Sequence, residues 1–347
     1  MKRLQNAIDR RILIKELQES NEPRTTISFY KYWNIGNPDL FRDYLYSHFE
    51  EIGVMGRIYV AHEGINAQIS VPTANFDAFK SFLYSIDFLN GCRLNIAVDD
   101  NGKSFYKLKV KVRTKIVADG LNDDTFDVTD RGKHLSAEEF NTLTDDPQTI
   151  IVDLRNHYES EVGHFEGAIL PDCDSFRDEL PLVAETLKGK EERNIVMYCT
   201  GGIRCEKASA WFKHQGFQKM HMLDGGIIEY TRQAKAKGIK NKFKGKNFVF
   251  DERMAERISN DVIAACHVCG NPADTHINCA NLACHVLFIE CDQCRTRLED
   301  CCSEECQAVI HLPEEEQKEI RKNSRKEKRI FHKGREVSLR YKKEVPG

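Results

Sequence analysis

Apolar and polar residues alternate along Thr25-Thr26-Ile27-Ser28-Phe29-Tyr30-Lys31-Tyr32, the two-residue period of a strand with one buried face. From Pro38 to Ile52 the apolar positions recur at helical spacing instead. Gly56 to Val71 reads as two strands around the turn His62-Glu63-Gly64-Ile65-Asn66, Phe76 to Leu89 as a second helix, and Arg93 to Val98 as a returning strand. That order, β-α-β-β-α-β, is the ferredoxin-like arrangement: four antiparallel strands covered on one face by two helices. It is assigned to residues 25–115, behind an N-terminal helical extension over 1–24.

The pattern then changes. Residues 116–134 are acidic and polar, with Gly120 and Gly132, as suits a linker. Ser136-Ala137-Glu138-Glu139 has the form of a capping box that opens a helix. Thr149 to Arg155 and Ile195 to Tyr198 read as buried strands; Phe176 to Leu187 and Glu206 to Gln215 read as helices, the last ending at Gly216. Alternating strands and helices over 135–245 predict a parallel sheet, so the chain combines α/β and α+β parts. Ligands of open α/β sheets bind at the carboxyl ends of the strands.

Lys103, Lys107, Lys109, Lys111, Arg113 and Lys115 occupy alternate positions, so a strand here has one positive face. Two readings stand: an RNA phosphate track through Lys107, Lys109, Lys111 and Arg113, and a solvated edge strand protected by its lysines. His62 and Glu63 are similarly open, as substrate-positioning residues or as part of a turn packed on the next domain.

At 347 residues the chain has room for two or three cores. Its 41% hydrophobic and 30% charged residues describe a globular protein, and a net charge of −3 exerts no overall pull on nucleic acid. Neither a leader-like apolar stretch nor a membrane-length run is found, which predicts a cytoplasmic protein. Thirteen cysteines, an odd number, argue against a disulfide framework and for metal or catalytic roles. No flavin or nicotinamide signature is present.

One of these cysteines ends the apolar run Asn194-Ile195-Val196-Met197-Tyr198 and precedes Thr200-Gly201-Gly202-Ile203-Arg204. A strand therefore delivers Cys199 to the mouth of a helix, where glycine lets main-chain amides turn inward. Amides, helix dipole and Arg204 together favour an anionic sulfur over the alternative of an inert buried thiol. Cys205, the next thiol, either resolves an oxidised Cys199 or packs inside the helix start.

Nine cysteines crowd between Cys266 and Cys306. Cys266-x-x-Cys269 and Cys291-x-x-Cys294 have knuckle spacing, and Cys279, Cys284, Cys302 and Cys306 supply a second set. Two structural zinc ions fit residues 260–312, with Cys301 an alternative to Cys302 and with His267, His276 or His285 as substitutes. The basic tail, 313–347, reads equally as an RNA-binding arm or as a solvated end.

Asp153-Leu154-Arg155, Glu159, Gly163-His164-Phe165-Glu166-Gly167-Ala168-Ile169, the Cys199–Arg204 loop, and Gly216-Phe217 with Leu223-Asp224-Gly225-Gly226-Ile227 together resemble a rhodanese domain. The resemblance implies a doubly wound sheet and makes Cys199 its active-site residue. It also accounts for His164-Phe165-Glu166, which read alone suggests an iron-binding triad. The loop has six residues, as in rhodaneses that carry persulfide sulfur, whereas related phosphatases use seven. A phosphatase is disfavoured, and Asp174 and Asp178 read as surface carboxylates instead of its general acid.

Taken over nearly its full length, the chain is similar to the bacterial tRNA uridine hydroxylase family. That resemblance implies oxygen-dependent formation of 5-hydroxyuridine at the wobble position, with a tRNA anticodon stem-loop as partner and dioxygen as co-substrate. The rival readings are a persulfide-carrying sulfurtransferase and a non-catalytic RNA-binding protein.

Overall fold

A computed structural model describes residue 4 and residues 8–324. Arg325, Lys326, Lys328, Arg329, Lys333 and Arg335 of the basic tail, with most of residues 1–7, lie outside the described residues.

Helix α1 (Arg10–Glu19) precedes strand β1 (Arg24–Tyr32), α2 (Pro38–Ile52), β2 (Met55–Ala61), β3 (Gly64–Pro72), α3 (Phe76–Tyr84) and β4 (Asn95–Ile96). Alternation decides the faces. Ile27, Phe29, Ile58, Val60, Ile65, Ala67 and Ile69 enter one core with Leu45, Phe49, Phe79 and Leu83 of the helices. Phe49 lies 5.5 Å from Phe79, ring to ring. Such aromatic pairs add about 0.5–1.5 kcal/mol to what their buried area contributes.

The sheet has five strands in the order β4-β1-β3-β2-β5, not the expected four. The addition is the lysine-bearing segment, β5 (Leu108–Val112), which runs parallel to β2 at the edge. Leu108 and Val110 enter the core and turn the intervening lysines to the other face. The expected helix Phe76–Leu89 stops at Tyr84 and resumes as a 3₁₀ turn at Asp87–Leu89, while the returning strand shortens to Asn95–Ile96.

Strand β6 (Lys133–Leu135), α4 (Ala137–Thr144), β7 (Ile150–Asp153), the short α5 (His157–Ser160), β8 (Gly163–Phe165), α6 (Phe176–Leu187), β9 (Asn194–Tyr198), α7 (Ile203–His214), β10 (Lys219–Leu223) and α8 (Gly226–Lys237) follow. The parallel sheet has the order β6-β10-β9-β7. Ile195, Met197 and Cys199 face α6 and α7; Val196 and Tyr198 face α4 and α8. Burial on both faces explains the uninterrupted apolar runs. The Ser136 capping box forms, with Ser136 Oγ accepting from the Glu139 amide at 3.3 Å and Glu139 Oε2 from the Ser136 amide at 2.9 Å.

Strands β11 (Phe243–Phe248) and β12 (Ala255–Arg257) extend from β8, and β13 (His276–Asn278) pairs with β14 (Leu287–Ile289) before α9 (Asp292–Leu298), α10 (Glu304–Ile310) and α11 (Glu314–Ser324). Among the described residues, no helix is long and apolar enough to cross a membrane.

Candidate active site

Strand β9 ends at Tyr198, and α7 begins at Ile203 with Gly202 as its N-cap. The helix thus starts three residues before the Glu206 expected from sequence, which brings Arg204 into its first turn. Gly202 holds φ +98°, a conformation that favours glycine, and a Cβ there would stand 2.9 Å from the Tyr30 hydroxyl. The carbonyls of Cys199 and Thr200 accept from the Ile227 and Ile228 amides of α8 at 3.1 and 3.2 Å. With those carbonyls drawn outward, loop amides turn toward the sulfur, and the Gly202 N–H reaches Cys199 Sγ at 3.1 Å.

Cys199 is only 1% exposed. Burial pushes its thiol up, but a hydrogen bond from the Cys205 thiol, the charge of Arg204 and the Arg204 and Gly202 amides outweigh it and hold the thiol down to about 6. Cys199 is therefore a thiolate at neutral pH. Cys205 is the opposite case: burial and the adjacent sulfur push it well up, so it remains a thiol and a donor. It is packed at the helix start, in contact with Cys199 through hydrogen rather than as a second anion.

Arg204 acts at one remove. Its guanidinium is held by both oxygens of the buried Glu159, at 3.0 and 2.9 Å, and by the Leu154 carbonyl at 2.8 Å. Glu179 of α6, also fully buried, has no hydrogen-bond partner for either oxygen among the described residues. Burial pushes its carboxyl well up, against the opposing charge of Arg204. Glu159 belonged to the rhodanese-like segments, but nothing in the sequence singled out Glu179.

The open face of the first sheet covers this loop. Thr26, Ser28, Tyr30, Asn66, Gln68 and Asn95 line a cavity of about 340 Å³ whose other walls include Cys199, Thr200, Arg204, Tyr158 and Phe250. Its size suits a small-molecule or nucleobase site. Sheet register forms a continuous row: Ser28 pairs with Asn95 and Gln68, Gln68 with Arg57, and Arg57 with Lys109. The next row runs Tyr30, Asn66, Tyr59, Lys111. Registered partners share a face, so both rows lead from the cavity to the basic edge. There Lys107 and Lys109 flank the Tyr106 ring, each at 5.7 Å, Arg113 lies over Tyr59, and Lys111 is exposed. Lys103 and Lys115 are used internally instead, on the Leu17 carbonyl and on Asp119 and Asp123.

Several other expected residues settle elsewhere. Glu63 pairs with Lys207 of α7 and accepts from the Ile116 amide, so the His62–Asn66 turn is packed on the second sheet's domain. Asp119 and Asp123 join the same lysine at 3.2 and 2.6 Å and fasten the segment expected to be a slack linker. His164 bonds the Ser160 carbonyl. Asp174 lies before α6, at the cavity wall, paired with His157 at 2.9 Å instead of sitting on an exposed helix. Asp178 accepts from Ser175 Oγ at the α6 cap.

The cysteine-rich end forms two groups of four sulfurs, each within 4.8 Å of one another: Cys266, Cys269, Cys291 and Cys294, and Cys279, Cys284, Cys302 and Cys306. Cys301 is buried outside both. His267 lies on Glu161 at 2.7 Å. Four mutually close sulfurs are a donor set suited to a soft tetrahedral cation. The first group shares a core with Tyr158 and Phe248, and Tyr158 is a cavity wall.

Comparison with known proteins places these features in a family. The chain is 56% identical over 332 residues to the tRNA uridine(34) hydroxylase of Leptospira interrogans, covering 96% of this chain and 90% of that one. The chain belongs to the tRNA uridine(34) hydroxylase family. Other members include those of Photorhabdus laumondii, 55% identical over 96% of this chain and 95% of that one, and Escherichia fergusonii, 54% identical over the same shares. Family models match a UPF0176 acylphosphatase-like domain at residues 24–116, a rhodanese-like domain at 136–233 and a rhodanese C-terminal region at 244–307. Among solved structures, the Alr3790 protein of Anabaena sp. is 22% identical and covers 32% of this chain and 80% of that one, with a TM-score of 0.26. In this hydroxylase family member, Cys199 therefore lies on the rhodanese-like domain and its cavity is closed by the acylphosphatase-like one.

Proposed function

We propose that this chain hydroxylates C5 of the wobble uridine in tRNA, with dioxygen as co-substrate and Cys199 as nucleophile, in the cytoplasm. The observation that carries the reading is an ionised Cys199 at the wall of a base-sized cavity, in a chain whose relatives are named for this reaction.

The thiolate adds to C6 of the ring: the S–C6 bond forms and the C5–C6 π pair moves onto C5 and O4 as an enolate. Loop amides and the positive end of α7 face the developing negative charge. C5 adds dioxygen as a peroxide, and an external thiol reductant supplies two electrons and two protons that cleave its O–O bond. Two thiols thus leave as a disulfide, one oxygen leaves as water and the other stays on C5 as hydroxyl. The C5 proton then leaves, that electron pair restores C5=C6, and sulfur departs as thiolate. The anticodon stem-loop is the substrate because its unpaired base enters the cavity at low cost. The basic row ending at Lys107, Lys109, Lys111 and Arg113 tracks its phosphates.

Two structural zinc ions complete the reading, one held by Cys266, Cys269, Cys291 and Cys294 and one by Cys279, Cys284, Cys302 and Cys306. They supply folding energy to a segment whose small cores include the cysteines themselves. Nucleoside mass spectrometry of tRNA from cells with and without the gene tests the function. The expected loss is one oxygen on uridine; loss of a sulfur instead would support a sulfurtransferase, and no change a non-catalytic role.

A further inference from the structure

Among the described residues, two polar atoms beside the Cys199 loop find no hydrogen-bond partner. Asn95 on β4 is 3% exposed, and its Oδ1 is buried without a hydrogen bond. Thr200 Oγ1, one residue past the sulfur, is likewise hidden and unpaired. Both residues line the cavity that contains Cys199. A buried polar group without a partner costs free energy, and two of them lining one cavity suit a ligand that completes them.

The orientation of the Asn95 amide follows from its neighbour. Nδ2 faces the Gly201 carbonyl oxygen at 3.5 Å. A carbonyl only accepts, so the NH₂ group belongs there and Oδ1 is left as an acceptor. The Thr200 hydroxyl can donate. An acceptor and a donor lining one cavity match the edge of uracil, where N3–H, the ring's donor on that edge, is flanked by the O2 and O4 carbonyls. Cytosine presents the reverse at two of these positions, an N3 lone pair and an N4 amine.

We propose that Asn95 reads the base: its Oδ1 accepts from N3–H of uracil while the Thr200 hydroxyl donates to an adjacent ring carbonyl. Cytosine is rejected because its N3 lone pair meets Oδ1. The ferredoxin-like sheet thus contributes the specificity of a site whose nucleophile stands on the other domain. This assignment deepens the hydroxylase reading and rests on it.

The test is binding of anticodon stem-loop RNAs carrying uridine, cytidine or N3-methyluridine at the wobble position, measured under argon so that no turnover occurs. The unsubstituted protein is expected to favour uridine over both others by about tenfold to a hundredfold. Asn95→Ala, checked for an unchanged melting temperature, is expected to bring the uridine-to-cytidine ratio within about threefold. Thr200→Val serves as the second variant; it is expected to weaken uridine binding while leaving discrimination at N3 intact. Equal binding of uridine and cytidine by the unsubstituted protein, or an undiminished ratio in folded Asn95→Ala, overturns the proposal. A ratio that depends on Asn95 without hydroxylated product in air would overturn the reaction and leave the base-reading assignment standing.

Discussion

The Arg204 guanidinium grips both carboxylate oxygens of Glu159 and not the Cys199 sulfur. Glu159 is fully buried and the Arg204 side chain is 12% exposed, so the pair is held out of water. Arg204 therefore contributes to the site through its charge, its main-chain amide and the stiffness of the loop.

That division separates two variants. Arg204→Ala and Glu159→Ala each leave a buried charge unpaired and should destabilise the protein by about 3–5 kcal/mol. Only Arg204→Ala should also raise the Cys199 thiol, because only that change removes a positive charge near the sulfur. Melting curves and thiolate absorbance measured against pH check the contrast. Equal thiol values in both variants would contradict it.

The pH profile follows from the thiol itself. With Cys199 held at about 6, the thiolate fraction falls about tenfold per unit below that value and saturates above it. Alkylation rate and kcat/KM should rise with pH and level off above about 6. An inflection near 8.5, the value of an unperturbed thiol, would mean that the loop does not stabilise the anion.

Lys207 ties the two domains together through Glu63, Asp119 and Asp123. Lys207→Met keeps the volume of the stem but leaves Asp119, whose side chain is fully buried, without its Lys207 partner. Because Lys115 still pairs with Asp119, the expected loss is about 1–3 kcal/mol, measured by denaturant unfolding. A loss below about 1 kcal/mol would assign the cluster no role in docking the sheet over the thiol loop.

Metal removal should reach the active site indirectly. Two equivalents of zinc per chain are expected by elemental analysis, and strong chelation should lower the melting temperature and the activity together, since Tyr158 shares a core with the first sulfur group and walls the cavity. A metal-free protein with unchanged melting and turnover would contradict the assignment.

At the basic edge, Lys109→Ala with Lys111→Ala should raise KM, leave kcat unchanged, and make the salt dependence of RNA binding shallower by about 1.4 in the logarithmic slope. An unchanged slope would make these lysines edge protection only.

What the sequence disclosed was local chemistry. The thiol loop occupies consecutive positions, and each Cys-x-x-Cys pair sits inside one turn, so residue types alone identified them. The cavity was less legible because Asn95 and Gly201 are 106 positions apart and meet only when the two sheets face each other. A signal was nonetheless present: Thr26, Ser28 and Tyr30 alternate with core residues, marking a polar face that needed a partner. The fifth strand was hidden for the same reason, since β5 pairs in parallel with β2 across α3 and β4 and no turn announces it. Glu179 gave no sign because a lone acidic residue at a helix start ordinarily faces solvent.

The central claim is that an ionised Cys199 attacks the base to be oxygenated. Purified protein, unmodified tRNA, a thiol reductant and labelled dioxygen test it, with mass spectrometry of the nucleosides from the unsubstituted protein and from Cys199→Ser. Attack by Cys199 predicts 5-hydroxyuridine carrying the label in the first case and none in the second. Full hydroxylation by Cys199→Ser, or a product without label, would contradict it.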